Sequence, residues 1–265
     1  MFSSFMMNTW IVATMVAAVA GLVGFFVVLR GATFAAHALP LGTFPGAAAA
    51  SLLGINQIWG LGVFAALGVV GISQLARQQR NEVATALTLI TLLGFGTLFL
   101  SLSSQYAQGV YALLFGEVLG ISDNTVLPVA VISLVAGWLI LLLFRPLLLS
   151  AVSADLGTVS GVKARWIDIV FLGILGLTTA MALPVVGALL VFSLMVGPAS
   201  LGRAITPRPA LAMGLSVVLS VAIAWAAIAG AYLTNWPIGF FIGALAAAAY
   251  GAGRFLPAAL RACTV

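Results

Sequence analysis

The chain has almost none of the residues from which soluble catalytic centres are assembled. A single cysteine, Cys263, leaves no disulfide framework and no CxxC metal pair. A single histidine, His37, leaves no HExxH helix, and no GxSxG elbow occurs, so zinc-protease and serine-lipase chemistries have no visible core. The one lysine stands in Gly161-Val162-Lys163-Ala164 without the glycine spacing of a phosphate cradle, so the chain has no ATP-binding loop of its own. Charge of either sign is scarce, at 6% of residues. The five acids, Glu82, Glu117, Asp123, Asp155 and Asp168, all map to loops or to the ends of apolar runs. Ion-driven carriers keep carboxylates at mid-membrane. Their absence there points to an energy source outside the chain. The expectation is a protein that is not an enzyme and holds no cofactor.

What is abundant is apolar surface. Hydrophobic residues make up 63% of the 265 residues, and the mean hydropathy is +1.26. The ten Lys and Arg residues fall into clusters: Arg30; Arg77 and Arg80; Arg145, Lys163 and Arg165; Arg203 and Arg208; Arg254 and Arg261. Each interval between clusters is long enough for an out-and-back pair of helices, since one crossing takes roughly 17–25 residues. One span before Arg30 and four such pairs predict an all-α, polytopic membrane protein of about nine spans. The positive-inside rule then places the N-terminus outside and the C-terminus in the cytoplasm. The net charge of +5 has the same origin, which argues against nucleic acid as a partner. The segment from Trp10 to Leu29 lacks a basic region before it and ends at an arginine, so it reads as a retained first span rather than a cleaved signal.

The chain reads as one membrane domain over 1–265, with no internal repeat. Span 1 covers about 9–29. The returning segment 34–55 contains Pro40, Gly42, Pro45 and Gly46, which predicts an interrupted helix. Such a break marks either a substrate path or a packing kink. Spans 3, 4 and 5 fall at about 57–75, 83–103 and 126–144, with a short amphipathic outer helix from Tyr111 to Gly120 between the last two. The stretch 145–166 reads as a cytoplasmic loop containing a short helix capped by Ser153-Ala154-Asp155 and ended by Gly161. Spans 6 and 7 form a hairpin turning near Pro184-Val185. Span 8 covers about 210–231, and span 9, about 238–252, carries the GxxxG spacing Gly239/Gly243. Met181, Met195 and Met213 are scattered gap-fillers rather than a metal path.

Four segments, in order, resemble the membrane permeases of zinc/manganese-type ABC importers. Leu114-Phe115-Gly116-Glu117-Val118-Leu119-Gly120 is similar to that family's LFGD(I/L)L segment. Asp155-Leu156-Gly157-Thr158-Val159-Ser160-Gly161-Val162-Lys163 is similar to its D-L-A-x-x-x-G-V-K stretch. Val186-Gly187-Ala188-Leu189-Leu190 through Pro198-Ala199 resembles VGALL…PAA, and Pro237-x-Gly239 matches PxG. The resemblance runs from the first span to about Gly243. It implies a homodimer in the cell membrane, ATP-binding subunits on the cytoplasmic side that consume the ATP, and an extracytoplasmic substrate-binding protein. It also implies a permease helix that docks on the ATPase, here 153–160, with Ser153, Asp155, Leu156, Val159 and Gly161 as its candidate residues. A solvated connector is the alternative for that segment.

The departures from the family pattern concern the cargo. Family members carry an Asp and a His four residues apart where the second span begins, a pair on one helical face suited to zinc or manganese. Aligned without gaps, this chain has His37 at the Asp position and Leu41 at the His position. With a gap, His37 is the family His and Thr33 takes the Asp position. Either way the pair is incomplete. His37 is therefore the one imidazole available to a transient metal site, or else a histidine bonded within the helix packing. Glu117 and Asp123 form either an acidic outer vestibule for a cation or a solvated helix cap, and the family's Asp before PxG is here Asn235. The expected function is the permease of an ABC importer for a divalent transition metal. The rivals are an ABC permease for a non-metal cargo, a secondary carrier that runs without ATPase subunits, and a scaffold that transports nothing.

Overall fold

In hydrocarbon every backbone N–H and C=O must be paired within the protein, so apolar runs of about 20 residues fold as helices or not at all. A computed structural model describes residues 4–75, 81–102, 121, 123–152 and 164–262, and among them the chain forms helices and no strands. The helices are α1 (Ser4–Leu29), α2 (Thr33–Leu53), α3 (Gln57–Leu75), α4 (Asn81–Ser101), α5 (Asp123–Leu142) and α6 (Phe144–Val152). They continue with α7 (Ala164–Val186), α8 (Ala188–Ile205), α9 (Pro209–Thr234) and α10 (Ile238–Ala262). Among the described residues, 7 helices are long and apolar enough to cross a membrane: α1, α3, α4, α5, α7, α9 and α10. The proline-containing α2 and the shorter apolar stretch of α8, Leu190–Ile205, pack among them.

α1 is the central post. Val12, Ala17, Ala20, Val23 and Phe26 are fully or almost fully buried, and 67% of its most apolar stretch lies inside the protein, against 22% for the peripheral α5. α1 packs on α8, α9, α5 and α7, while α2, α3 and α4 form a second group. α7 joins the two groups, touching α3 and α2 on one side and α1 and α5 on the other. A separate core cluster of Phe44, Leu61, Ala65, Leu100, Ala180 and Leu183 seals the second group against the end of α7. Met181, Met195 and Met213 are buried in the helix packing, with Met181 accepting a hydrogen bond from Ser133 at 2.8 Å.

Lipid tails supply no hydrophobic drive between helices, so close packing at small residues has to do it. The tightest example is the crossing of α2 and α3. A Cβ on Gly46 would lie 2.1 Å from the Gly60 carbonyl oxygen, and one on Gly60 would lie 2.0 Å from the Gly46 carbonyl oxygen. Beside it, the Pro45 ring rests on Gly96 of α4, where a Cβ would meet it at 2.7 Å.

Three expectations about the elements need correction. The segment 34–55 is not interrupted: α2 runs continuously through Pro40 and Pro45. Between the two prolines, the Thr43 hydroxyl donates to the Pro40 carbonyl at 2.9 Å. The stretch after Arg145-Pro146 is not loop from its start, because α6 occupies 144–152 and buries Leu147 completely. The hairpin of α7 and α8 turns at Gly187 rather than at Pro184-Val185. Gly187 has φ 86° and ψ 154°, backbone that only glycine adopts freely, while Pro184 is accommodated inside α7. Asn235 ends α9 in the left-handed region at φ 56°, a conformation asparagine tolerates better than most residues.

Candidate functional site

His37 lies one turn into α2. Its ring meets Phe192 of α8 edge-on, with centroids 5.1 Å apart. The Nδ1 atom is buried and has no hydrogen-bond partner. Neither of the residues that spacing offered as a companion completes a metal pair. Leu41 sits one turn further along and packs against the apolar cluster around Phe44. Thr33, one turn earlier, opens α2 and lines a cavity at the other end of the same helical face. No group of three or more His, Cys, Asp or Glu side chains occurs among the described residues.

That cavity, about 900 Å³ and partly open, lies where the end of α1, the start of α2, the end of α3, the start of α4, α6 and the start of α7 meet. Arg30, Thr33, Glu82, Thr85, Arg165 and Asp168 are among its lining residues. Arg203 reaches the same end of the bundle, donating to the Val28 carbonyl at 3.1 Å. Arg30, Arg165 and Arg203, from three of the basic clusters, therefore share one end of the molecule, as the charge map predicts.

Arg30 organises this end. It forms a salt bridge with Asp168 and donates to the Leu147 carbonyl at 3.2 Å and to the Ser150 hydroxyl at 2.6 Å. Its guanidinium carbon stands 5.2 Å from the centre of the Phe171 ring. Burial pushes its pKa below the ordinary arginine value. The charge of Asp168 and the hydrogen bond to it act in the opposite direction. Sequence reasoning used Arg30 only as a topology marker and Asp168 only as a span-end acid. The interaction joins residues 138 apart in the chain, so no local pattern announces it.

The remaining expected site residues fall outside what the structure describes, wholly or in their side chains. Asp123 opens α5, and its side chain is outside the described set. Glu117 also lies outside the described residues, as do Ser153, Asp155, Leu156, Val159 and Gly161. α6 and α7 flank the last five, ending at Val152 and resuming at Ala164.

The manganese import system permease protein of Streptococcus parasanguinis is 28% identical over 198 residues, 74% of this chain and 70% of that protein. The chelated iron transport system membrane protein of Yersinia pestis is 28% identical over 235 residues, 87% of this chain and 78% of its own length. Among solved structures, the fold matches PsaBC from Streptococcus pneumoniae in complex with Fab. The TM-score is 0.82 at 23% identity, covering 95% of this chain and 91% of that one. The profile of the ABC 3 transport family matches residues 2–254. A match over almost the whole length, on an all-helical bundle with an apolar exterior, places this membrane protein in the ABC 3 transport family.

Proposed function

We propose that this chain is the permease subunit of an ABC importer that carries a divalent transition metal into the cytoplasm. The observation that carries the reading is the family match over 2–254, together with relatives named for manganese and for chelated iron that align over 74% and 87% of the chain. In this reading the permease has nine spans, with α2 and α8 completing the set, and the basic end faces the cytoplasm of a cell-membrane protein. Two copies form the pore, ATP-binding subunits drive it from the cytoplasmic side, and an extracytoplasmic binding protein delivers the cargo. The segment 153–160 engages the ATPase through Ser153, Asp155, Leu156, Val159 and Gly161. Glu117 and Asp123 make the cargo's entrance acidic.

His37 is the cargo ligand within the span. Leaving a buried nitrogen unpaired costs about 1–3 kcal/mol, and a passing metal ion is a partner that removes the deficit. Neutral imidazole binds such ions, and protonation expels them. The cargo is the substrate, so the site binds it transiently. A non-metal cargo is the second reading, favoured by Leu41 in one alignment, or Thr33 in the other, standing where the family pattern calls for a metal ligand.

Elemental analysis of cells lacking the protein, complemented by wild type or by His37→Ala, tests both. The expected result is one transition metal that falls on deletion, returns with wild type, and fails to return with an equally expressed His37→Ala. A metal that returns with both forms removes His37 from the path. No metal change in metal-limited medium overturns the metal reading.

A further inference from the structure

Arg30 carries a full charge, yet its side chain is only 9% exposed, and it touches two helices besides the one it follows. It comes directly after α1, and only Gly31 and Ala32 separate it from α2. The backbone around it is pinned as well, with Arg30 N–H donating to the Phe26 carbonyl and Ala32 N–H to the Val27 carbonyl, both at 2.9 Å. One guanidinium nitrogen makes both contacts to α6, the Leu147 carbonyl and the Ser150 hydroxyl, while the other pairs with Asp168 on α7. Phe171, one turn beyond Asp168, covers its face.

α6 has 9 residues, too few for a helix to hold itself in place by its own hydrogen bonds. Its position is set by what it touches: Leu147 buried in the core, Phe144 edge-on to Phe26 at 5.8 Å, and the Arg30 fork. Apolar contacts tolerate sliding and rotation, whereas a planar fork with two acceptors on one helix and a carboxylate on another fixes direction.

We propose that Arg30 is the positioning residue that locks α6 to the α1–α2 turn and to α7, so that movement of the segment entered at Ser153 reaches the start of α2. Asp168 orients the guanidinium, and Ser150 with Leu147 receives it. Because His37 lies one turn into α2, the same node joins the 153–160 segment to the helix that carries the ligand. The transmission half of this inference rests on the reading of 153–160 as the ATPase contact. The clamp itself does not.

The single native cysteine makes a direct test practical. In full-length protein carrying Cys263→Ser, nitroxide labels at Gln74→Cys and Leu149→Cys report the distance from α3 to α6 across the cavity. Labels at Leu53→Cys and Leu233→Cys report the far end of the bundle. Arg30→Gln and Asp168→Asn are expected to broaden the first distance distribution and leave the second unchanged. Arg30→Lys, which restores the charge without the fork, stays broad. In vesicles containing the permease with its ATPase and binding protein, manganese taken up per ATP hydrolysed is expected to fall roughly tenfold in Arg30→Gln.

An unchanged 74–149 distribution in Arg30→Gln overturns the clamp. A loosened α6 with unchanged uptake per ATP overturns the transmission. Failure of the wild type to move manganese removes manganese as the cargo and leaves the distances to decide the clamp. If Arg30→Gln does not fold, Ser150→Ala removes one of the two α6 contacts and keeps the ion pair. Its 74–149 distribution is then expected to widen part of the way, and no widening refutes the clamp.

Discussion

His37 keeps a ring nitrogen buried and unpartnered against the edge of Phe192. A residue selected only for packing would carry no such deficit, so replacing it by an apolar side chain of similar reach should stabilise the protein while disabling it. We expect His37→Leu to melt at or above the wild-type temperature in detergent and to lose metal uptake. A destabilised His37→Leu would mean that the imidazole is part of the fold. The glycines offer the opposite experiment. Gly46→Ala drives a methyl into the Gly60 carbonyl and should cost about 1–3 kcal/mol, read as a lower melting temperature. Gly94→Ala, where nothing lies within 4 Å, should melt like the wild type. The sequence singled out His37 because it is alone of its kind. It did not single out Gly46 beyond a suspected break, because close approach is a property of two helices and is written in neither one.

At the scale of elements, some of the long apolar runs were legible nearly to the residue, while the first helix starts earlier than expected, at Ser4, and the last runs on to Ala262. The third span, expected over about 57–75, is Gln57–Leu75, and the eighth, expected over about 210–231, is Pro209–Thr234. These ends are set by local chemistry: Pro209 at the first helical position and Asn235 in a left-handed cap. The misread elements are those where tertiary contact overrides local preference. Pro40 and Pro45 suggested a broken helix, but neighbours that accept the rings, such as Gly96, keep α2 continuous. Arg145-Pro146 suggested a loop, but burial of Leu147 draws the chain back into a helix. Between α7 and α8, the decisive residue is Gly187 at φ 86°. Gly187→Ala should lower stability by about 1–3 kcal/mol, whereas Pro184→Ala, within a formed helix, should leave the melting temperature at or above that of wild type. Equal losses from the two changes would move the turn back towards Pro184.

At the scale of the whole molecule, the basic residues predicted one shared end before any contact was known. Arg30 and Arg165 line a cavity of about 900 Å³ there, and Arg203 reaches the same end through the Val28 carbonyl. Which membrane face that end meets is open to a labelling experiment. In a Cys263→Ser background, a membrane-impermeant maleimide applied to intact cells should modify Leu53→Cys and Leu233→Cys, both highly exposed at helix ends, and spare Gln74→Cys. The reverse pattern would invert the topology. What the sequence could not disclose at this scale is which elements share a node. Arg30, Ser150 and Asp168 are distant in the chain, and only the packing of α1, α6 and α7 brings them together.

The crossing of α2 and α3 at Gly46 and Gly60 has one more consequence. Two backbones that touch without side chains have no rotamers to freeze when they meet and none to reset when they part. At that point of contact, movement of α2 against α3 carries no side-chain entropy cost of its own.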